Sequence, residues 1–296
     1  MTHASPALDA APPALARPPA FAGLPPLAAA GHDIFLPPLR KPTPRRELPL
    51  WTRVGLEASR TAAREPLLRP RLEALVLTPV TPGRILGAVL ARGLAGGDAR
   101  LETLVDEALL VDREALECVE EDLETVTVRD PACHSVLHAL LHLKGFQALA
   151  AHRVAHSLWS RGRRDAGAWL AHEANVALGV DIHPAVPFGR RVLLDHATGI
   201  VIGETAIVED DVSILHGVTL GATGKERGDR HPKVRRGASI GAGAQVLGNV
   251  VLGRMCRIGA GSVVMRHVPA HATAVGVPAR IARLRAPAQA LVLHDA

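Results

Sequence analysis

Three short stretches of this chain set acids, imidazoles and a guanidinium at spacings that could do proton chemistry: Asp181-Ile182-His183, Asp195-His196 and Gly228-Asp229-Arg230-His231. A histidine near its ordinary pKa of about 6.5 can take the proton of a poor nucleophile such as a hydroxyl at neutral pH. A carboxylate on the other ring nitrogen then fixes the tautomer and stabilises the imidazolium that forms. Arg230 beside His231 suits a substrate carboxylate, because a planar guanidinium offers two parallel donors. The competing reading of Asp195-His196 is a polar turn facing water.

These residues must be held by something regular, and a period of six supplies it. Aliphatic or Phe anchors fall at Ile182, Phe188 and Leu194, then after a shift of two at Ile202, Val208, Ile214 and Leu220, then at Val234, Ile240, Val246, Leu252 and Ile258. Four positions past most anchors stands a small or β-branched residue: Val186, Val192, Thr198, Ala206, Val212, Val218, Ala238, Ala244, Val250, Cys256 and Ser262. This is the hexapeptide pattern of a left-handed parallel β-helix, in which three hexads make a triangular coil and both columns point inward. Asp181 and His196 are separated by nearly one such coil, so neighbouring coils are expected to bring them together. Gly189, Gly203, Gly241, Gly253 and Gly259 follow anchors and are expected at tight corners that need positive φ. Between Leu220 and Val234 an insertion, residues 221–233, carries Gly221, Gly224, Lys225, Asp229, Arg230, His231 and Lys233. An excursion with that content reads as a functional loop.

Upstream, residues 48–175 show apolar residues three and four apart, broken at Pro66, Pro70, Pro79, Pro82 and Pro131, and predict six to eight helices. The fold class is therefore α+β, a helical domain followed by a β-helix at 176–279. Residues 1–47 form a Pro- and Ala-rich arm read as disordered or loosely extended, with an organellar transit peptide as the sharper alternative, and 280–296 a C-terminal tail. The net charge of +5 lies mostly in those two ends, and no basic stripe interleaved with aromatics appears, which argues against nucleic acid. No apolar run is long enough to span a membrane. Cys118, Cys133 and Cys256 are odd in number and lack CxxC spacing, which reads as a reducing cytoplasm rather than a disulfide framework. Without any Tyr, the core must be aliphatic.

VDIHP (180–184), LDHATGIVIGE (194–204), VSILHGVTLGATGK (212–225), GDRHPK (228–233), IGAGAQVLGN (240–249) and AVGVPAR (274–280), with RDPA (129–132) and LKGF (143–146), resemble bacterial serine acetyltransferases over roughly residues 48–280. The resemblance implies transfer of an acetyl group from acetyl-CoA, a co-substrate rather than a bound cofactor, to the hydroxyl of L-serine in cysteine biosynthesis. It implies His196 as general base with Asp181 orienting it. It implies Asp130, Asp195, Arg230 and His231 for serine, and Gly221, Thr223, Gly224, Lys225, Ala242 and Ala244 beside CoA. No metal is implied. A homotrimer or a dimer of trimers follows, with sites in clefts between solenoids, and L-cysteine is the expected feedback inhibitor.

Two departures are visible. The family loop reads GGTGK where this chain has Ala222 for the second Gly, and positive φ there would shift the loop. The family members that dock into cysteine synthase end in Ile, whereas this chain ends in Ala296, which counts against that complex. Other readings stay open: a zinc hydratase on the same solenoid using His183, His196, His216 and His231; metal on His134, His138 and His142 or on His152 and His156; a non-catalytic scaffold; and a different acetyl acceptor.

Overall fold

A computed structural model describes residues 48–225 and 227–284; the arm at 1–47, most of the tail and the Ala296 terminus lie outside the described residues. Eight α-helices come first: α1 Leu50–Arg64, α2 Arg69–Leu72, α3 Pro82–Leu94, α4 Ala99–Val111, α5 Arg113–Arg129, α6 Val136–His142, α7 Lys144–Ser160 and α8 Arg164–Leu178. Their starts follow local chemistry. The Thr81 hydroxyl caps α3, with Pro82 at its first position, while Asp98, Asp112 and Ser135 cap α4, α5 and α6.

The solenoid has three parallel faces. One holds β1 (Val180–Ile182), β3 (Ile200–Ile202), β6 (Thr219–Gly221), β9 (Gln245–Leu247) and β12 (Val263–Val264). The second holds β4 (Ile207–Val208), β7 (Lys233–Val234) and β10 (Val251–Leu252). The third holds β2 (Leu193–Asp195), β5 (Ser213–Leu215), β8 (Ser239–Ile240), β11 (Arg257–Ile258) and β13 (Ala272–Gly276), closed by antiparallel β14 (Ala279–Leu284). This is the expected α+β architecture with a left-handed β-helix. Apart from half-buried Phe188, the anchor column is fully buried, and so is the small column, with one exception.

The exception is Thr198, which is exposed; Ala197 takes the inward place, fully buried. The two-residue shift in the repeat causes this. It is absorbed at the turn between β2 and β3, where His196 and Ala197 both adopt the left-handed region, with φ of 56° and 60°. The Ala197 and Thr198 amides close on the carbonyls two residues back, at 2.6 and 2.8 Å. Consecutive non-glycine residues in this region cost energy and persist only when the surroundings hold them.

The corner glycines also need correction. Gly189, Gly203, Gly241, Gly253 and Gly259 do not have positive φ; they are glycine because the next coil passes too close. A Cβ on Gly189 would meet the Asp210 amide at 2.3 Å, and one on Gly253 the Ala270 amide at 2.4 Å. Left-handed corners are instead taken by other glycines and by Arg191, Asp211, Met255 and His271.

The helices and the first coil are joined by buried polar contacts. Arg153 of α7 donates to the Asp122 carboxylate of α5 at 2.9 Å and to the carbonyls of Phe188 and Gly189, while Asp122 accepts from the Val192 amide at 2.9 Å. Along α7, His152 Nε2 donates to the Val186 carbonyl at 3.0 Å and His156 Nδ1 to that of Pro184 at 2.8 Å. These two rings are pegs between domains.

Burial, aided by the charges of His156 and Arg153, holds the His152 pKa down to about 3. In the unfolded chain the ring returns to its ordinary value near 6.5. The unfolded state then binds a proton that the folded state refuses, so stability falls as pH drops below about 6.5. Between pH 7 and 5 this ring should cost about 2 kcal/mol. His152→Gln keeps an N–H for Val186 and should lose about that much less stability over the same range; identical pH slopes in urea titrations of the two proteins would refute the assignment.

Candidate active site

The residues expected to bind serine or carry the proton fall at three places on the solenoid. The first lines a cavity of about 520 Å³ where α5, α6 and α7 meet β2, and includes Asp130, His142, Lys144, Asp195, His196 and Thr198. Asp130 follows α5, and its carboxylate accepts from the Ala132 amide at 2.8 Å. Gly145 lets α7 come this close, since a Cβ there would sit 2.0 Å from the Leu194 carbonyl oxygen. The His196 side chain is 77 % exposed, with Nε2 3.8 Å from Asp195 Oδ1 and its ring edge-on to His216 at 5.9 Å. Its ring is thus open to an incoming proton donor, with two carboxylates lining the same cavity.

The second group surrounds the turn that leaves β3. His231 is buried against Gly203, whose absent Cβ would lie 2.0 Å from His231 Nε2. Its Nδ1 faces the Thr205 hydroxyl at 2.8 Å and accepts from the Thr205 amide at 3.2 Å. Burial first, and then the Arg230 and Lys233 charges, keep the pKa of His231 below its ordinary value. A neutral ring accepting at Nδ1 carries its proton on Nε2, so His231 is a hydrogen-bond donor at that atom. Arg230 donates to Glu204 at 2.8 Å and to the Gly228 carbonyl at 3.0 Å, and the first of these contacts holds Glu204 below the usual carboxylate range. Lys233 is not free for an anion: its ammonium donates to Asp229 (2.5 Å) and to the carbonyls of His231 (2.7 Å) and Thr205 (2.8 Å).

Asp181 points outward from β1 and lines a third concavity with Trp159, His172, Asn175 and His183. It does not meet His196 within the chain. The register explains why: the coil above Asp181 places Val201 over it, because the two-residue shift makes that coil longer than eighteen. The expectation that neighbouring coils join the pair is therefore corrected.

In the inserted loop, Gly224 is left-handed (φ 79°) and Ala222 is not, so the Gly-to-Ala departure carries no backbone strain. Thr223 lies over Gly248, whose amide donates to Gly221, and Lys225 is exposed. Ala242 stands half-buried at the corner above His216, while the Ala244 side chain is wholly inside and can offer a ligand only backbone. Of the histidines weighed for metal, His196 and His216 share one corner, His183 and His231 both lie near Glu204 at another, and His134, His138 and His142 stack edge to face. Among the described residues, no three His, Cys, Asp or Glu side chains are grouped to hold a metal ion. No helix among them is long and apolar enough to cross a membrane.

Residues 50–151 match the family model for the N-terminal region of serine acetyltransferase, and 231–266 match the bacterial transferase hexapeptide repeats. Serine acetyltransferase of Salmonella typhimurium is 48 % identical over 235 residues, which is 78 % of this chain and 86 % of that protein. The chain belongs to the serine acetyltransferase family. It is accordingly an acyltransferase. The serine acetyltransferase of Brucella abortus in complex with coenzyme A superposes with a TM-score of 0.77 at 42 % identity, covering 80 % of this chain and 96 % of that one. A serine acetyltransferase in complex with cysteine gives 0.76 at 45 % identity, covering 79 % and 98 %.

Sequence reasoning passed over Thr205, Glu204 and Lys144. Thr205 and Glu204 sit within the IVIGETA stretch beside no expected partner, and only the fold brings the loop at 228–233 onto them. His142 was weighed as a metal ligand, but it lines the cavity of Asp195 and His196.

Proposed function

We propose that the chain acetylates L-serine directly from acetyl-CoA in a ternary complex, with His196 as general base. The observation that carries this is the exposed His196 imidazole opening on a cavity shared with Asp130 and Asp195, which suit the substrate ammonium. His196 takes the hydroxyl proton as the serine oxygen attacks the thioester carbonyl. The tetrahedral intermediate then collapses with cleavage of the C–S bond, and the proton passes to the departing sulfur. General base catalysis supplies about 10²- to 10⁴-fold, and positioning of both substrates supplies most of the remainder.

The other two groups complete the site from a neighbouring copy. Arg230 and the His231 Nε2–H would receive the serine carboxylate, and Asp181 would orient the imidazole of the adjacent protomer. A homotrimer, or a dimer of trimers joined through the helical domain at 48–175, places such pairs in the clefts between solenoids at 176–279. Acetyl-CoA would lie along the Gly221, Thr223, Gly224 and Lys225 loop and past Ala242, with backbone near Ala244. L-Cysteine, which shares the ammonium and carboxylate of serine, would compete for the same groups. The three cysteines, all unpaired, suit a cytoplasmic enzyme.

The test is CoA release from acetyl-CoA by the purified protein with L-serine, L-homoserine, a hexosamine or no acceptor. Serine-dependent release is expected; release with another acceptor alone, or none, would overturn the reading.

A further inference from the structure

Thr205 is half-buried at the turn after β3, and every polar atom it owns is spent on the loop that carries Arg230 and His231. Its hydroxyl oxygen accepts from the backbone amides of Arg230 at 3.0 Å and His231 at 3.1 Å. The hydroxyl proton has His231 Nδ1 within 2.8 Å. The Thr205 amide, at 3.2 Å from Nδ1, also keeps that nitrogen an acceptor. The Thr205 carbonyl accepts from Lys233, which in turn ties Asp229 and the His231 carbonyl. Asn249, from the next coil, closes the far side by donating to Asp229 at 3.1 Å.

From this arrangement we infer that Thr205 is the positioning residue of the acceptor carboxylate clamp: its one hydroxyl sets where the Arg230 guanidinium and the His231 Nε2–H stand. The inference rests on the proposed serine acetylation and deepens it. The physical reason is that residues 228–231 belong to an insertion outside the repeat and have no strand ladder of their own; the ladder resumes at the Pro232 carbonyl, which accepts from the Ile207 amide, and at the Lys233 amide, which donates to Val250. Two successive amides on a single oxygen replace that ladder. A valine in place of Thr205 has nearly the same shape but offers them nothing, and an amide left without a partner moves to find one. The clamp moves with it. Glu204, next in the chain and bonded to Arg230, holds the guanidinium side chain but no backbone of the loop.

The measurement is steady-state kinetics of wild type, Thr205→Val and Thr205→Ser with two acceptors, L-serine and L-serinamide, the second lacking the carboxylate. In Thr205→Val, KM for L-serine should rise about 10- to 100-fold, with kcat at saturating serine within about threefold. KM for L-serinamide should stay within about threefold of wild type, because it never used the clamp. Thr205→Ser, which keeps the hydroxyl and drops the methyl, should restore KM for L-serine to within about threefold. Equal losses on both acceptors, a fall in kcat without a rise in KM, a serine variant as impaired as the valine one, or an unchanged KM would each overturn the inference while leaving the acetylation intact. A wild-type enzyme without serine-dependent CoA release would overturn the proposed function, and this inference with it.

Discussion

Replacing His196 by Ala should lower kcat for serine acetylation by about 10²- to 10⁴-fold while leaving KM for acetyl-CoA within a small factor, because the change removes proton transfer and little binding surface. The ring is mostly exposed and the backbone there is already held left-handed, so the folded state loses little packing. Its partner test uses the separation of Asp181 from His196. Asp181→Asn alone should also be impaired, yet co-expressing it with His196→Ala should recover activity. If each site joins His196 of one protomer to Asp181 of the next, random mixing leaves about a quarter of the interfaces with both residues intact. Assays of the mixed and separate proteins check this. No recovery on mixing would sink the shared site, and a His196→Ala enzyme within a factor of three of wild type would sink the base assignment.

The second large effect is on stability. Asp122 is 1 % exposed and Arg153 is 6 % exposed, and together they bond three backbone groups of the first coil. Burial outweighs the opposing pull of Arg153 and the Val192 amide and raises the Asp122 pKa to about 6, so the carboxylate facing Arg153 is still mostly ionised at neutral pH. Asp122→Ala leaves a buried guanidinium without its counter-charge and should cost about 3–5 kcal/mol. The double change Asp122→Leu with Arg153→Met removes both charges and should cost less than the single one. Urea denaturation at one fixed protein concentration measures both, since the stability of the proposed oligomer would depend on concentration. A single variant within about 1 kcal/mol of wild type would refute the role assigned to the pair.

Much of the candidate site was legible because its residues lie in short runs: Asp195 next to His196, and Arg230 next to His231, cannot be far apart whatever the fold. The solenoid was equally legible. A period of six fixes which side chains enter a narrow interior, and Ile202, Ile214, Leu220 and Ile240 are accordingly buried. The break in that period after Leu194 could be seen, but not its result. Two extra residues can be absorbed at any corner of a coil, and only the hydrogen bonds of the turn decided that Ala197 would go in, Thr198 would go out and His196 would be held left-handed between them. The glycines after the anchors were visible too, but a glycine required by φ and one required by a neighbouring coil look the same in sequence. The clash that distinguishes Gly203 involves His231, twenty-eight residues away.

What the sequence determined by itself is therefore periodic or adjacent: the architecture, the aliphatic columns and the motif runs. Tertiary structure alone decided the pairings across long separations: Thr205 under the 228–233 loop, His142 in the cavity of His196, and Asp181 held apart from the imidazole it was expected to orient. The reason is that periodicity constrains the direction of a side chain, whereas a contact also needs the register between coils, and one shift of two residues changes every register above it.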